Sequence, residues 1–199
     1  MQANPEGMAR ILAAGGADEQ QRTVPVLPGW QWRLIDTPEV HCRLDGLRVY
    51  PSSLRFRIIR ILRPGAGAAA CGAFEGPGRR PRGERFDAAK LLEGPLLGVR
   101  YTDGRGAALD LFGNFQTTLP QSGGFPVLEL GSSTNSDSTG EHEVRLHGLP
   151  EQGSITVFWR WQAIGAAESS LELDGDAVRE ASARARILWQ EEAPSGKEP

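Results

Sequence analysis

Apolar side chains recur at every second position in one short run after another, and glycine or proline closes each run. Val40, Cys42 and Leu44 alternate with His41 and Arg43; Leu47 and Val49 follow, then Leu54, Phe56 and Ile58 with Arg55 and Arg57 pointing the other way. Further on, Ile155, Val157, Trp159 and Trp161 share one face and Thr156, Phe158 and Arg160 the other. Successive side chains on a strand point to opposite faces, so a period of two marks an antiparallel strand with one dry and one wet side. The turn chemistry agrees. Asp45-Gly46 and Asp103-Gly104 read as hairpins, Pro150-Glu151-Gln152-Gly153 reads as another hairpin connection, and Pro28-Gly29 breaks the segment Val24–Asp36. With 25 Gly and 14 Pro in 199 residues, the chain is supplied for many turns between short strands.

One segment follows a different period. Val178, Ala181, Ala185, Leu188 and Trp189 recur at helical spacing, and Asp174 stands where an N-cap belongs. The expected fold is therefore all-β in the main: an antiparallel two-sheet sandwich of about nine short strands with one C-terminal α-helix. Residues 1–22 are expected to form a flexible tail, residues 23–190 a single sandwich domain with its helix at about 174–190, and residues 191–199 a disordered tail. Pro64–Arg85 reads as a long irregular insert, and Ser132–Gly140 as a polar loop.

Charge is unevenly placed. Residues 41–105 hold 13 basic and 6 acidic side chains, whereas residues 106–199 hold 6 and 14. Such asymmetry can make a dipolar surface, or can vanish if the two stretches interleave in the fold. Twenty Arg against only Lys90 and Lys197 suggest a high-GC bacterial genome. No segment has the pattern of a signal peptide or the length of an apolar membrane span, so a cytoplasmic, membrane-free setting with reduced thiols is expected. Cys42 and Cys71 are too few for a disulfide framework.

Candidate site residues are sparse. Trp30 and Trp32, just after Pro28-Gly29, could form a stacking platform for a sugar or other small ligand. Arg79, Arg80, Arg82 and Arg85 in the long insert suit the rim of a binding surface. Trp159 and Trp161 share a face with Ile155 and Val157, which assigns them to the core. His41, His142 and His147 lack ligand spacing, and His142 and His147 fall on opposite strand faces, so no metal and no cofactor are expected. There is no nucleophile elbow and no phosphate loop.

The segments Gly46–Tyr50, Leu97–Arg105 (LGVRYTDGR), Gly148–Val157 (GLPEQGSITV), Trp161–Glu168 and Ala181–Trp189 resemble a set of uncharacterised actinobacterial proteins of similar length. The resemblance implies the same sandwich. It supplies no activity, catalytic residue or ligand to carry over.

These features favour a non-enzymatic protein-binding or assembly module, with another protein or a second copy as partner. A carbohydrate- or small-ligand-binding sandwich using exposed Trp is the second reading, and a hydrolase with paired carboxylates the third. Nucleic acid is disfavoured by the acidic overall balance, with a pI of about 5.7. A stacking platform requires Trp30 or Trp32 to be solvent-exposed. An assembly module requires an apolar patch or an unpaired sheet edge.

Overall fold

The computed structural model describes residues 23–26, 28–68, 70–71, 94–111, 116–118 and 126–188. The strands are β1 (Thr23–Val24), β2 (Trp32–Asp36), β3 (Val40–Val49), β4 (Ser53–Leu62), β5 (Pro95–Tyr101), β6 (Gly106–Asp110), β7 (Gln116–Thr118), β8 (Val127–Asn135), β9 (Thr139–His147), β10 (Ile155–Trp161), β11 (Ala166–Leu173) and β12 (Arg186–Ile187). Helix α1 spans Gly175–Arg184. Two five-stranded antiparallel sheets, β2-β3-β4-β9-β8 and β11-β10-β5-β6-β7, face one another, and β1 pairs with β12 in a small ribbon. The expected antiparallel sandwich with a C-terminal helix is what the chain forms.

The alternating residues meet between the sheets. Leu44, Leu54, Ile58 and Val144 from one sheet pack against Leu97, Val99, Val157, Trp159 and Trp161 from the other. Both tryptophans of β10 are wholly buried and meet edge to face at 6.5 Å. On one side of the sandwich Ser169 Oγ of β11 donates to the Leu34 carbonyl of β2 at 2.7 Å, so these two edges close on each other.

Four local expectations are corrected. Asp45-Gly46 is not a hairpin: β3 runs on to Val49, and the pairing with β4 shifts between Asp45 and Arg48 with Gly46 at φ 61°. Asp-Gly suits a left-handed bulge as well as a tight turn, and a bulge is what carries the inward phase from Leu44 to Leu47. The chain reverses instead at Pro51-Ser52. Pro150–Gly153 is no hairpin either, because β9 and β10 lie in different sheets. The loop expected at Ser132–Gly140 is mostly strand, since β8 reaches Asn135 and β9 begins at Thr139. Finally, α1 stops at Arg184. Ala185 is extended and Arg186–Ile187 add a strand to β1, so the apolar spacing past Ala181 is not helical, and Leu188 is exposed. Asp174 does cap the helix, its Oδ1 accepting from the Asp176 and Ala177 amides at 2.8 and 3.2 Å. The tails 1–22 and 191–199 and most of the 64–85 insert lie outside the described residues.

Gly98 is set by packing. A Cβ there would overlap the Phe158 ring, which lies across β5 with the Arg100 guanidinium 6.0 Å from its centroid. Gly98→Ala is expected to cost about 1–3 kcal/mol in a urea titration, as overpacking does. A loss below about 0.5 kcal/mol would show that the ring moves aside freely.

Candidate functional site

Of the residues singled out from sequence, Trp30 and Trp32 are half-buried and pack against the core. Their rings meet edge to face, with centroids 5.5 Å apart and planes at 65°. The two rings therefore present no common flat face. Arg79, Arg80, Arg82 and Arg85 lie outside the described residues.

The polar structure of this fold lies elsewhere, under the far end of β8. One cross-strand row of the inner face runs Cys42, Arg60, Gly140, Asn135 over β3, β4, β9 and β8. The next runs Leu44, Ile58, His142, Ser133. Arg60 is fully buried. Its Nη2 reaches across β9 to donate to Asn135 Oδ1 at 2.9 Å and to His142 Nε2 at 2.8 Å, and its guanidinium carbon lies 5.3 Å from the Trp161 ring centroid. Gly140 makes that reach feasible, because a Cβ there would overlap Arg60 Nη2 and sit 2.8 Å from Asn135 Oδ1.

Electrostatics follow from burial. Desolvation, with Arg60 adding to it, holds His142 down at about 4. Desolvation lowers Arg60 to about 10, Cys42 opposing it. Burial pushes the Cys42 thiol up to about 12 despite the neighbouring Arg60, so this thiol is not a nucleophile near neutral pH.

Ser133 Oγ lies 3.0 Å from His142 Nδ1, a pairing that resembles a nucleophile and its base. The hydrogen-bond order runs the other way. Arg60 is a donor only, so His142 Nε2 must accept from it; the imidazole proton then sits on Nδ1 and is donated to Ser133. A base that already carries its proton on the side facing the hydroxyl cannot take another from it while neutral. The carboxylates give no acid–base pair in a cleft. Glu141 binds Arg57, Glu143 binds Arg55, and Glu129 binds Arg145 and His147, all on the outer face of the β4–β9–β8 strands. Two of these pairs, Arg57–Glu141 and Arg55–Glu143, join the basic middle of the sequence to its acidic C-terminal half, so the charge asymmetry interleaves there. No group of three or more His, Cys, Asp or Glu among the described residues is placed to hold a metal ion.

The network's consequence is at the surface. Val127 and Leu128 at the start of β8 are buried, whereas Gly131–Asn135 are all exposed. β8 is the last strand of its sheet, paired with β9 alone among the described strands. Ser133 and Asn135 anchor this exposed half to His142 and Arg60 below it. Among the described residues, the far end of β8 is thus a held strand edge with no strand on its outer side. A cavity of about 570 Å³ at the same end of the sandwich is lined by Thr37, Pro38, Glu39, Val40, Ala70 and Ile164, and its carboxylate already accepts from the Gly67 amide at 2.8 Å.

No known protein family, curated protein or solved structure matches the chain. No described helix is long and apolar enough to cross a membrane.

Proposed function

We propose that this chain is a non-enzymatic assembly module that joins protein by strand addition at the far end of β8, with a second copy of itself as the simplest partner. The observation that carries this is the edge Gly131-Ser132-Ser133-Thr134-Asn135: exposed, unpaired on its outer side among the described strands, and free of charge and proline. Sheet edges in monomeric proteins are usually blunted by Lys, Pro or a cover, and an edge that lacks them is a template for another strand. The bulge between Leu130 and Ser133 twists the strand but leaves the last residues paired to β9. Pairing β8 antiparallel to its copy about a two-fold axis would join two five-stranded sheets through main-chain hydrogen bonds. The ligand-binding alternative is weakened by the crossed, half-buried Trp30 and Trp32, and the hydrolase alternative by carboxylates tied to arginines on an open face.

Light scattering on a sizing column, over a range of concentrations, tests the proposal. The wild type is expected to run as a discrete dimer, and the double variant Ser132→Lys/Thr134→Lys as a monomer with unchanged circular dichroism. A wild type that stays monomeric throughout, or a variant that dimerises equally well, would sink it.

A further inference from the structure

The far end of β8 is tied down by side chains that one proton would set against each other. Gly131–Asn135 are all exposed, so the segment is held by its ladder to β9 and by the ties of Ser133 and Asn135. Arg60 Nη2 carries two N–H groups and serves two acceptors, Asn135 Oδ1 at 2.9 Å and His142 Nε2 at 2.8 Å. The same imidazole, while neutral, donates from Nδ1 to Ser133 Oγ at 3.0 Å. A second proton on the ring goes to Nε2, which then meets Arg60 Nη2 donor to donor and cation to cation. If the guanidinium withdraws, Asn135 loses its donor; if the ring turns away, Ser133 loses its own. Either movement frees one tie to β8. Among the described residues, β4 sets Arg60 against the ring and β8 sets the Ser133 hydroxyl there. Cys42 of β3 and Trp161 of β10 lie beyond, against Arg60, and supply a neutral thiol and an indole. Glu141 and Glu143, on either side of His142 along β9, point to the outer face and bind Arg57 and Arg55.

We propose that one proton on His142 releases the far end of β8, and that acid thereby takes apart the assembly formed through this edge. The second half rests on the reading of the edge as an assembly surface; the first half stands without it. A released strand gives a partner's main chain no ladder to extend, so strand addition is lost with it. The proton prefers the released state, where the ring is solvated, to the held one, where burial and Arg60 oppose its charge. Falling pH therefore shifts the balance towards release, by about tenfold per pH unit between the two pKa values. Opening an exposed, sparsely packed segment costs far less than global unfolding, so the rest of the sandwich stays folded.

The test is amide exchange followed by NMR from pH 7 to 4.5. It is read in the Ser132→Lys/Thr134→Lys variant, whose lysines blunt the edge, so that exchange reports the ties and not an interface. Protection of the ladder-bonded amides in Ser133–Asn135, corrected for the pH dependence of free amides, is expected to fall about tenfold or more relative to Leu54–Ile58 of β4. The fall should share its midpoint with the titration of the His142 ring protons. With His142→Gln added, which offers an acceptor and a donor but does not titrate, protection is expected to stay level. Protonation of His142 with Ser133–Asn135 still protected, an equal loss with glutamine, or a loss shared equally by β4 would overturn the release. If glutamine itself loosens the strand at pH 7, the shared midpoint in the histidine chain still decides. Light scattering of the wild type over the same range reads the second half. A dimer that dissociates with that midpoint supports it, and one that persists after the strand is released overturns the placing of the contact at this edge. A wild type that is monomeric at pH 7 overturns the assembly reading alone, and the release is then decided by exchange.

Discussion

Arg60→Ala is expected to cost about 3–5 kcal/mol of stability, the range for emptying a large core site, whereas Arg60→Met should cost clearly less. Two effects oppose each other at this side chain. Burial penalises the cation, which is why its pKa falls to about 10. Against that, Arg60 fills space beside Trp161 and satisfies His142 Nε2 and Asn135 Oδ1. Alanine loses the packing and leaves the buried His142 Nε2 without this donor, at about 1–3 kcal/mol for such a group, whereas the exposed Asn135 can turn to water. Methionine keeps the stem against Trp161 and removes a charge whose desolvation was unfavourable, so only the His142 acceptor is left wanting. Both variants should speed amide exchange in Ser133–Asn135, because the tie through Asn135 is gone. Urea titration ranks the stabilities and hydrogen exchange reads the strand. Equal losses in the two variants would mean that the charge and its bonds, not the packing, carry the contribution.

Acid should loosen the same end of the sandwich. His142 is 2% exposed and held at about 4, against an unfolded value near 6.5. Between those limits the unfolded chain binds a proton that the folded chain does not, so stability rises with pH across the window and falls as pH drops through it. The contribution is complete above pH 6.5 and lost by about pH 4, and the depression corresponds to about 3 kcal/mol. Protonation would set an imidazolium against the Arg60 guanidinium at 2.8 Å, with the Ser133 hydroxyl on its other ring nitrogen. Stability measured from pH 7 to 4 should fall more steeply in the wild type than in His142→Gln, which cannot titrate. Parallel curves would place the acid sensitivity at another group.

Much of the fold is legible in local pattern. Val40, Cys42 and Leu44 point inward as their spacing implies, as do Leu54, Phe56 and Ile58, and Asp174 caps the helix it precedes. The same pattern marks two polar groups. Arg60 falls in phase with Leu54, Phe56 and Ile58, and His142 in phase with Val144 and Leu146, so each was marked as a polar group on an inward face. The step from Leu44 to Leu47 breaks the period of two at Asp45-Gly46, which is the mark of a bulge, not of a reversal. By contrast, Ser132–Asn135 carries only turn-forming residues. It became strand because β9 offers a ladder beside it and two side chains fasten it, and neither is visible locally.

Sequence by itself determined which side chains share a face, because alternation is a property of the extended backbone and needs no partner. It also determined where the chain could turn and where the helix begins. Only the tertiary structure decided which strands are neighbours and which are left at an edge. It placed β4 beside β9, bringing Arg60 to a histidine 82 residues away and Arg55 opposite Arg145. It left the tail of β8 unpaired on one side among the described strands, and set Trp30 and Trp32 edge to face. Strand order depends on loop closure and on the packing of whole sheets, whose competing solutions differ by little energy and leave no mark in any short window of residues.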